Sequence, residues 1–201
     1  MEATLLKNNV LFITANLLSY PDPGKQSNSL IFELIEDLGE NTDIQNRLTR
    51  VIELFEKTPL IELQQEYVAA FDLKGAANLY MTNHEFGDSP KRGQALIELQ
   101  TTIENLGFIR TTKELADYIP MLLELLSVSE STVETERLEI RLSKVIYNIK
   151  DHVDINTPFL EIFSVMTDYV FEKPTDQQLA DLKAGQEKAD LDEMPFPIMY
   201  Q

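Results

Sequence analysis

Apolar residues recur along this chain at the spacing of an α-helix. Ile44, Leu48, Val51 and Phe55 fall at i, i+4, i+7 and i+11, and Leu60, Leu63, Tyr67 and Phe71 follow a like stripe. Leu96, Leu99, Ile103 and Leu106 form a third, and Leu138, Leu142, Val145 and Ile149 a fourth. That spacing puts each set on one face of a helix. Sustained alternation of β-branched residues is missing, so no sheet is expected and the predicted fold class is all-α, a single-domain multi-helix bundle. The segment Phe159–Val170 is apolar nearly all round, which predicts a central buried helix.

Start and stop signals agree with the stripes. Thr58-Pro59, Ser89-Pro90 and Thr157-Pro158 each place a capping hydroxyl before a proline, whose missing N–H costs nothing in a first helical turn. Thr111-x-x-Glu114 and Ser131-x-x-Glu134 read as capping boxes. Pro21, Gly107 and Pro174 follow helix ends. No Gly/Ser- or Pro-rich spacer divides the first 170 residues, so residues 1–173 are expected to form one helical domain. Residues 174–201 differ: they carry six acids against two bases and finish in Met194-Pro195-Phe196-Pro197-Ile198-Met199-Tyr200. The acidic stretch from Thr175 predicts one short exposed helix. Two prolines bar the apolar end from a helix interior, and an acidic, partly flexible C-terminal tail is expected, its apolar end docked on a groove of its own or a neighbouring molecule.

Charge and cysteine content narrow the function classes. With 34 acidic against 17 basic residues the net charge is −17, and phosphate backbones or anionic lipid surfaces repel such a chain. A basic peptide or protein suits it better than nucleic acid or membrane. There is no cysteine, so disulfides and thiolate metal sites are excluded. The start of the chain has an acidic Glu2, an apolar run Val10–Leu18 broken by Thr14 and Asn16, and no small-residue cleavage site. It does not read as a signal peptide, and the run is too short to span a bilayer. A cytoplasmic location and no direct membrane insertion are expected.

Most catalytic chemistry finds no footing. His84-Glu85 invites a zinc-protease reading, but position 88 is Asp where a second His is needed, and Gly87 argues for a turn. The only other histidine, His152, lies in Asp151-His152-x-Asp154, a poor ligand spacing, so no metal site and no cofactor are expected. The seven glycines form neither G-x-x-x-x-G-K-S/T nor G-x-G-x-x-G.

The informative stretch runs from Glu66 to Glu124, where residues break local rules. Lys91 and Arg92 fall in the first turn of a helix, where the macrodipole disfavours cations by a few tenths of a kcal/mol or more. Asp88 or Asp117 is the expected partner for Arg92. Pro120 lies inside the helical-looking stretch Leu115–Leu126, a conflict that disappears if Asp117 caps a fresh helix with Pro120 in its first turn. A bend at Ala116-Asp117 would put Asp117 and Tyr118 at a junction between helices, a natural wall for a groove.

The same residues carry a family resemblance. Tyr67-Val68-Ala69-Ala70-Phe71-Asp72, the run from Leu79-Tyr80 through Gly87-Asp88-Ser89-Pro90-Lys91-Arg92-Gly93-Gln94-Ala95-Leu96, and Glu114-Leu115-Ala116-Asp117-Tyr118-Ile119-Pro120 through Glu124 together resemble NarJ-type chaperones, the respiratory nitrate reductase delta-subunit family within the TorD-like group of redox-enzyme maturation proteins. The resemblance covers about residues 60–127. It departs at Ala116, where the family usually has Pro, which should loosen the bend before Asp117. The resemblance implies an all-helical, non-catalytic chaperone of nitrate reductase assembly. Its client would be the apo molybdenum-containing catalytic (alpha) subunit, held partly through an N-terminal leader-like segment until molybdenum cofactor insertion, with cofactor-delivery proteins as further partners. On that reading Tyr67, Phe71 and Tyr80 supply aromatic surface to an amphipathic basic helix, Asp88, Asp117 and Glu124 meet its cations, and Arg92 and Tyr118 belong to the same partner-binding surface. The competing role for Phe71 and Tyr80 is core packing. The competing readings are a generic acidic helical adaptor for a basic partner, and a hydrolase or nucleotide-binding enzyme built around His84.

Overall fold

A computed structural model describes residues 2–23, 29–39, 41–73, 75–111 and 113–182. It is helical: α1 (Glu2–Leu17), α2 (Ser29–Glu36), α3 (Thr42–Lys57), α4 (Leu60–Tyr67), α5 (Met81–Phe86), α6 (Lys91–Asn105), α7 (Ile119–Val128), α8 (Val133–His152) and α9 (Leu160–Tyr169). A π-helical turn, Val68–Asp72, continues α4, and a 3-10 turn, Gly75–Ala77, follows. A short helix spans 176–182 and is mostly exposed, as the acidic composition predicts. Among the described residues the only β geometry is an isolated antiparallel bridge between Tyr80 and Tyr118, and no helix is long and apolar enough to cross a membrane. The apolar end of the predicted tail, 194–200, lies outside the described residues.

The four sequence stripes become the core. Ile44, Leu48 and Val51 of α3, Leu63 and Tyr67 of α4, Leu99 and Ile103 of α6, and Leu138, Leu142, Val145 and Ile149 of α8 are all buried. They divide between two clusters that share α1 and α9. Leu11, Ala15 and Leu18 face the larger cluster with α4, α6, α7 and α8, while Val10 and Ile13 face the smaller one with α2 and α3. Ile162, Phe163 and Met166 of α9 join the first, Val165 the second. Two helices thus form the common wall, which is why α9 buries apolar residues toward both clusters. Its last side is not apolar, however: Glu161 and Asp168 accept from Arg47 of α3 at 2.6 and 2.8 Å, and the Arg47 guanidinium lies 5.7 Å from the Tyr169 ring.

Several helix ends depart from the sequence signals. The capping box of α8 sits one residue later than expected: Thr132 accepts from the Thr135 N–H at 3.2 Å and Thr135 reciprocates at 2.8 Å. Ser131 instead donates to the Glu136 carboxylate. No helix starts at Thr111. Pro59 and Pro90 stand at the N-cap itself, one position ahead of the expected first turn. Ser89 does accept from the Lys91 N–H at 3.3 Å, but the Thr58 hydroxyl turns back to the Leu54 carbonyl and Thr157 makes no cap for α9. Gly107 behaves as predicted. Its φ of 85° lets Gly107 and Phe108 donate to the carbonyls of Glu104 and Ile103, closing α6 in a Schellman motif that a side-chain-bearing residue resists.

Phe163 is fully buried on the shared wall, 6.1 Å from the Phe71 ring. Phe163→Ala should lower the unfolding free energy in urea by about 3–5 kcal/mol, and Thr132→Ala by about 1 kcal/mol. A Phe163→Ala loss as small as that of the cap variant would contradict the shared-wall packing.

Candidate functional site

The two motif segments are joined by backbone. Met81 N–H donates to the Asp117 carbonyl and Ile119 N–H to the Leu79 carbonyl, both at 2.9 Å, so Leu79–Met81 and Asp117–Ile119 run antiparallel. Helix α5 starts on one strand-like piece and α7 on the other. These two bonds hold the bend that Ala116, in place of the family's proline, was expected to loosen.

Asp117 does not cap its own helix. Helix α7 begins after Tyr118 with no side-chain cap and Pro120 in its first turn, which removes the proline conflict as expected. The Asp117 carboxylate turns the other way: one oxygen accepts from the Thr82 N–H at 3.1 Å and from the Thr82 hydroxyl. It therefore caps α5 across the bridge, satisfying a first-turn donor that α5 cannot satisfy itself. Arg92 completes the unit. Its Nε donates to the Thr82 hydroxyl oxygen at 3.2 Å, and an Nη lies 3.7 Å from the Asp117 carboxylate. The cation that broke a rule at the start of α6 is thus held by an acid from another element. The second oxygen of Asp117 is buried without a hydrogen-bond partner.

Behind this unit α5 is fixed to α8. Glu85 takes a two-pronged pair from Arg141, at 2.8 and 2.7 Å. Burial works to lower the Arg141 pKa, but the hydrogen bonds and charge of Glu85 outweigh it and raise it. His84 spans the Asn78 carbonyl at 2.7 Å and the Asn148 amide at 3.1 Å. That pattern suits a neutral ring, with Nε2–H donating and Nδ1 accepting. Burial, opposed by the Asn78 carbonyl, holds its pKa below the usual value. The histidine that suggested a metal is a brace, and among the described residues no group of His, Asp and Glu is arranged to hold a metal ion.

In front lies a chain of phenols. Tyr67 donates to the Leu18 carbonyl at 3.1 Å and its hydroxyl is 3.0 Å from that of Tyr118. Tyr20 meets the Tyr67 ring edge-on at 5.3 Å, and Tyr80 lies 5.7 Å from Tyr118 with its hydroxyl 3.0 Å from the Glu114 carboxylate. The π-turn after Tyr67 buries Phe71 while leaving Asp72 exposed. The charge of Asp72 bears on Tyr67, Tyr80 and Tyr118 alike. Partial burial, then Glu114, pushes Tyr80 up to about 12, and burial raises Tyr67 and Tyr118, so all three remain neutral donors with apolar faces. An apolar cleft continues from Tyr20, walled by Leu17 of α1, Ile31 and Phe32 of α2, and Ile52 and Phe55 of α3.

Of the residues singled out in the sequence, Tyr67, Phe71, Tyr80 and Tyr118 come together, as do Arg92 and Asp117. Exposure separates their roles. Tyr67, Phe71 and Asp117 are 4%, 1% and 0% exposed, so burial takes them out of a partner's direct reach in this structure. Phe71 packs on Phe159 at 5.0 Å, the core role that competed with an aromatic contact. Tyr80, Tyr118 and Arg92 are half-buried, and Asp88 and Glu124 are exposed. Sequence reading missed Tyr20, Thr82, Glu85, Arg141 and the cleft. The pairing of Glu85 with Arg141 was not legible, since it joins residues far apart in the chain. Tyr20 before Pro21 broke no local rule.

The sequence model of the nitrate reductase delta subunit family matches residues 37–155, more than half of the chain. The chain belongs to that family. Within it, the chain is 34% identical over 130 residues to the probable nitrate reductase molybdenum cofactor assembly chaperone NarJ of Bacillus subtilis, a stretch covering 64% of this chain and 70% of that protein. It is 32% identical over 120 residues to the probable chaperone NarW of Escherichia coli, covering 59% and 49%, and 27% identical over 133 residues to NarJ of the same organism, covering 64% and 56%. The chain thus spans about half the length of the two E. coli relatives it matches. The expected all-α, non-catalytic chaperone agrees with these relatives. The family match includes the bridge, the α5 brace and three of the phenols, but not Tyr20 or the α1 and α2 walls of the cleft.

Three outcomes test this assignment of roles. Asp117→Asn should cost about 1–3 kcal/mol of stability, because it weakens the cap and leaves Arg92 without its charge partner. A double-mutant cycle of Arg92→Ala with Asp117→Ala should show coupling of about 1 kcal/mol; an unchanged melting temperature and additive effects would dismiss the contact. For His84 the folded pKa lies below the usual 6.5, so the unfolded chain takes up the proton first. Its contribution is then complete above that value and lost as the pH falls through the window beneath it. The melting temperature of His84→Gln should fall less between pH 7 and 5 than that of the parent, and an equal fall would remove His84 from the pH response.

Proposed function

We propose that this chain is a system-specific chaperone of nitrate reductase maturation. It binds the apo molybdenum-containing catalytic subunit, partly through a leader-like N-terminal segment, and holds it for cofactor insertion in the cytoplasm. The observation that carries the reading is the continuity of two surfaces at Tyr20. One is an apolar cleft of aliphatic and aromatic walls, and the other is a phenol face flanked by Asp72 and Glu114. An amphipathic basic helix presents the matching pair: an oily stripe for the cleft, and cations that favour ring faces and carboxylates. A net charge of −17 draws such a segment in and speeds its encounter.

Within this reading Tyr80 and Tyr118 touch the client, Asp88 and Glu124 lie on the acidic surface that meets its cations, and Tyr67, Phe71, Arg92 and Asp117 keep the surface in shape. The names of the relatives support nitrate reductase as the system and molybdenum cofactor assembly as the stage. Contact with cofactor-delivery proteins belongs to the same proposal.

Co-purification with apo nitrate reductase catalytic subunit tests it. The complex should form with the intact subunit and weaken when its N-terminal segment is deleted; no complex with either would defeat the proposal and leave a generic acidic adaptor. Tyr80→Ala should weaken binding of the leader peptide by at least about fivefold, on the order of 1 kcal/mol, with little change in melting temperature. An unaffected dissociation constant would remove Tyr80 from the contact.

A further inference from the structure

The floor and the mouth of the apolar cleft differ in kind. We propose that the cleft is a socket for one aliphatic side chain, that of leucine, isoleucine or methionine, on a helical client segment that carries an arginine or lysine one turn away against Glu56. The socket deepens the proposed function and rests on it for the identity of the client, but not for the chemistry that the socket selects.

Size sets the first half of the selection. Ile31, Ile52 and Leu63 line the cleft and are buried, whereas Tyr20 and Phe32 are exposed and Phe55 is half-buried at its mouth. The free space is about 60 Å³. A water's share of liquid is roughly 30 Å³, and a cavity that holds benzene is roughly 150 Å³. The end of an aliphatic side chain therefore enters, and a phenyl ring does not. The mouth is also held from behind. Tyr20 meets the Tyr67 ring edge-on at 5.3 Å, and Phe55 meets Phe159 at the same distance. Helix α2 is tied to α3 where the Gln45 amide donates to the Ile35 and Glu36 carbonyls at 3.0 and 3.2 Å. Walls packed in this way resist an oversized group rather than yield to it.

Charge sets the second half. Glu56 lines the cleft and is exposed. Among the described residues no cation pairs with it, since Lys57, next in the chain, is held by Glu53 at 2.9 Å. The last turn of α1 reaches the cleft at Asn16 and Leu17 and carries no basic residue, so the negative end of that helix adds to the Glu56 charge. A second copy of this chain is a poor occupant, because two bodies of net charge −17 repel. A basic amphipathic helix is a good one. On its surface, residues three and four apart stand roughly 5–6 Å from each other, so a leucine in the cleft brings a cation of the next turn to the rim. There its charge meets Glu56 and its aliphatic stem lies along the exposed rings.

Alanine-based helical peptides with one leucine and, four residues on, one arginine test the socket. They are titrated into the full chain while the methyl resonances of Ile31, Ile52 and Val145 are followed by NMR, which reads weak binding as well as tight. The Ile31 and Ile52 methyls should shift and those of Val145 should not. Replacing the peptide leucine by alanine should weaken binding about tenfold, and replacing it by phenylalanine should weaken it as well. A phenylalanine peptide that binds as tightly as the leucine peptide overturns the aliphatic socket. Replacing the peptide arginine by glutamine should cost about threefold against the parent chain and nothing against Glu56→Gln; equal losses against both chains would remove Glu56. Co-purification separates this result from the proposed function. Unmoved Ile31 and Ile52 methyls overturn the socket even where the apo catalytic subunit co-purifies, whereas the expected selectivity without co-purification upholds the socket and defeats the proposed client.

Discussion

The carboxylate of Asp117 is fully buried, yet it serves three elements at once. It comes from the start of α7, satisfies the first turn of α5, and faces the cation at the start of α6. A buried carboxylate is costly unless its lone pairs and charge are met, and here the Thr82 bonds to one oxygen and the Arg92 contact both require the backbone bridge between Leu79–Met81 and Asp117–Ile119. Bridge and ion pair therefore stabilise each other, and the position of Tyr80 and Tyr118, the residues paired in that bridge, follows from both. Glu85 and Arg141 extend the same logic to α8, so that a six-residue helix too short to persist alone is held on several sides.

Much of this was legible in the sequence, and what was legible was local. The stripes in α3, α6 and α8 needed only helical spacing, and Gly107 needed only its freedom at positive φ. The conflicts at Arg92 and Pro120 located the junction, and an acid near Arg92 was a correct inference because a first-turn cation needs compensation wherever it sits. What Asp117 caps was not legible. A carboxylate just ahead of an apolar run fits its own helix in sequence, and only the antiparallel bridge reveals that another helix lies closer. The π-turn at Val68–Asp72 was hidden for a related reason: the stripe from Leu60 to Phe71 keeps helical period, while the extra residue is accommodated in backbone hydrogen bonding. The cleft was the least visible part. Tyr20, Phe32 and Phe55 come from three helices, and each alone satisfies the ordinary pattern of a partly buried ring.

The aromatic residues divide between holding shape and offering surface. Tyr67 and Phe71 sit with Phe159 and Phe163 in the larger core, so the Tyr67-x-x-x-Phe71 pair builds the floor. Tyr20, Tyr80 and Tyr118 stand on that floor with part of each ring in water. A rigid floor lets a client bind these rings with little ordering cost, since each phenol is already fixed by a neighbour or a carboxylate. The acids around them set sign and encounter rate more than strength.

The central claim is that one continuous surface, from the cleft through Tyr20 to Tyr80 and Tyr118, receives a basic amphipathic segment of an immature enzyme. Hydrogen exchange of the full chain, with and without the leader peptide of the nitrate reductase catalytic subunit, measures this most directly. Slower exchange is predicted in residues 16–21, 52–56, 79–82 and 114–119, with α8 beyond Arg141 unchanged. Protection confined to α8 and residues 176–182 would contradict the claim even if the peptide binds tightly.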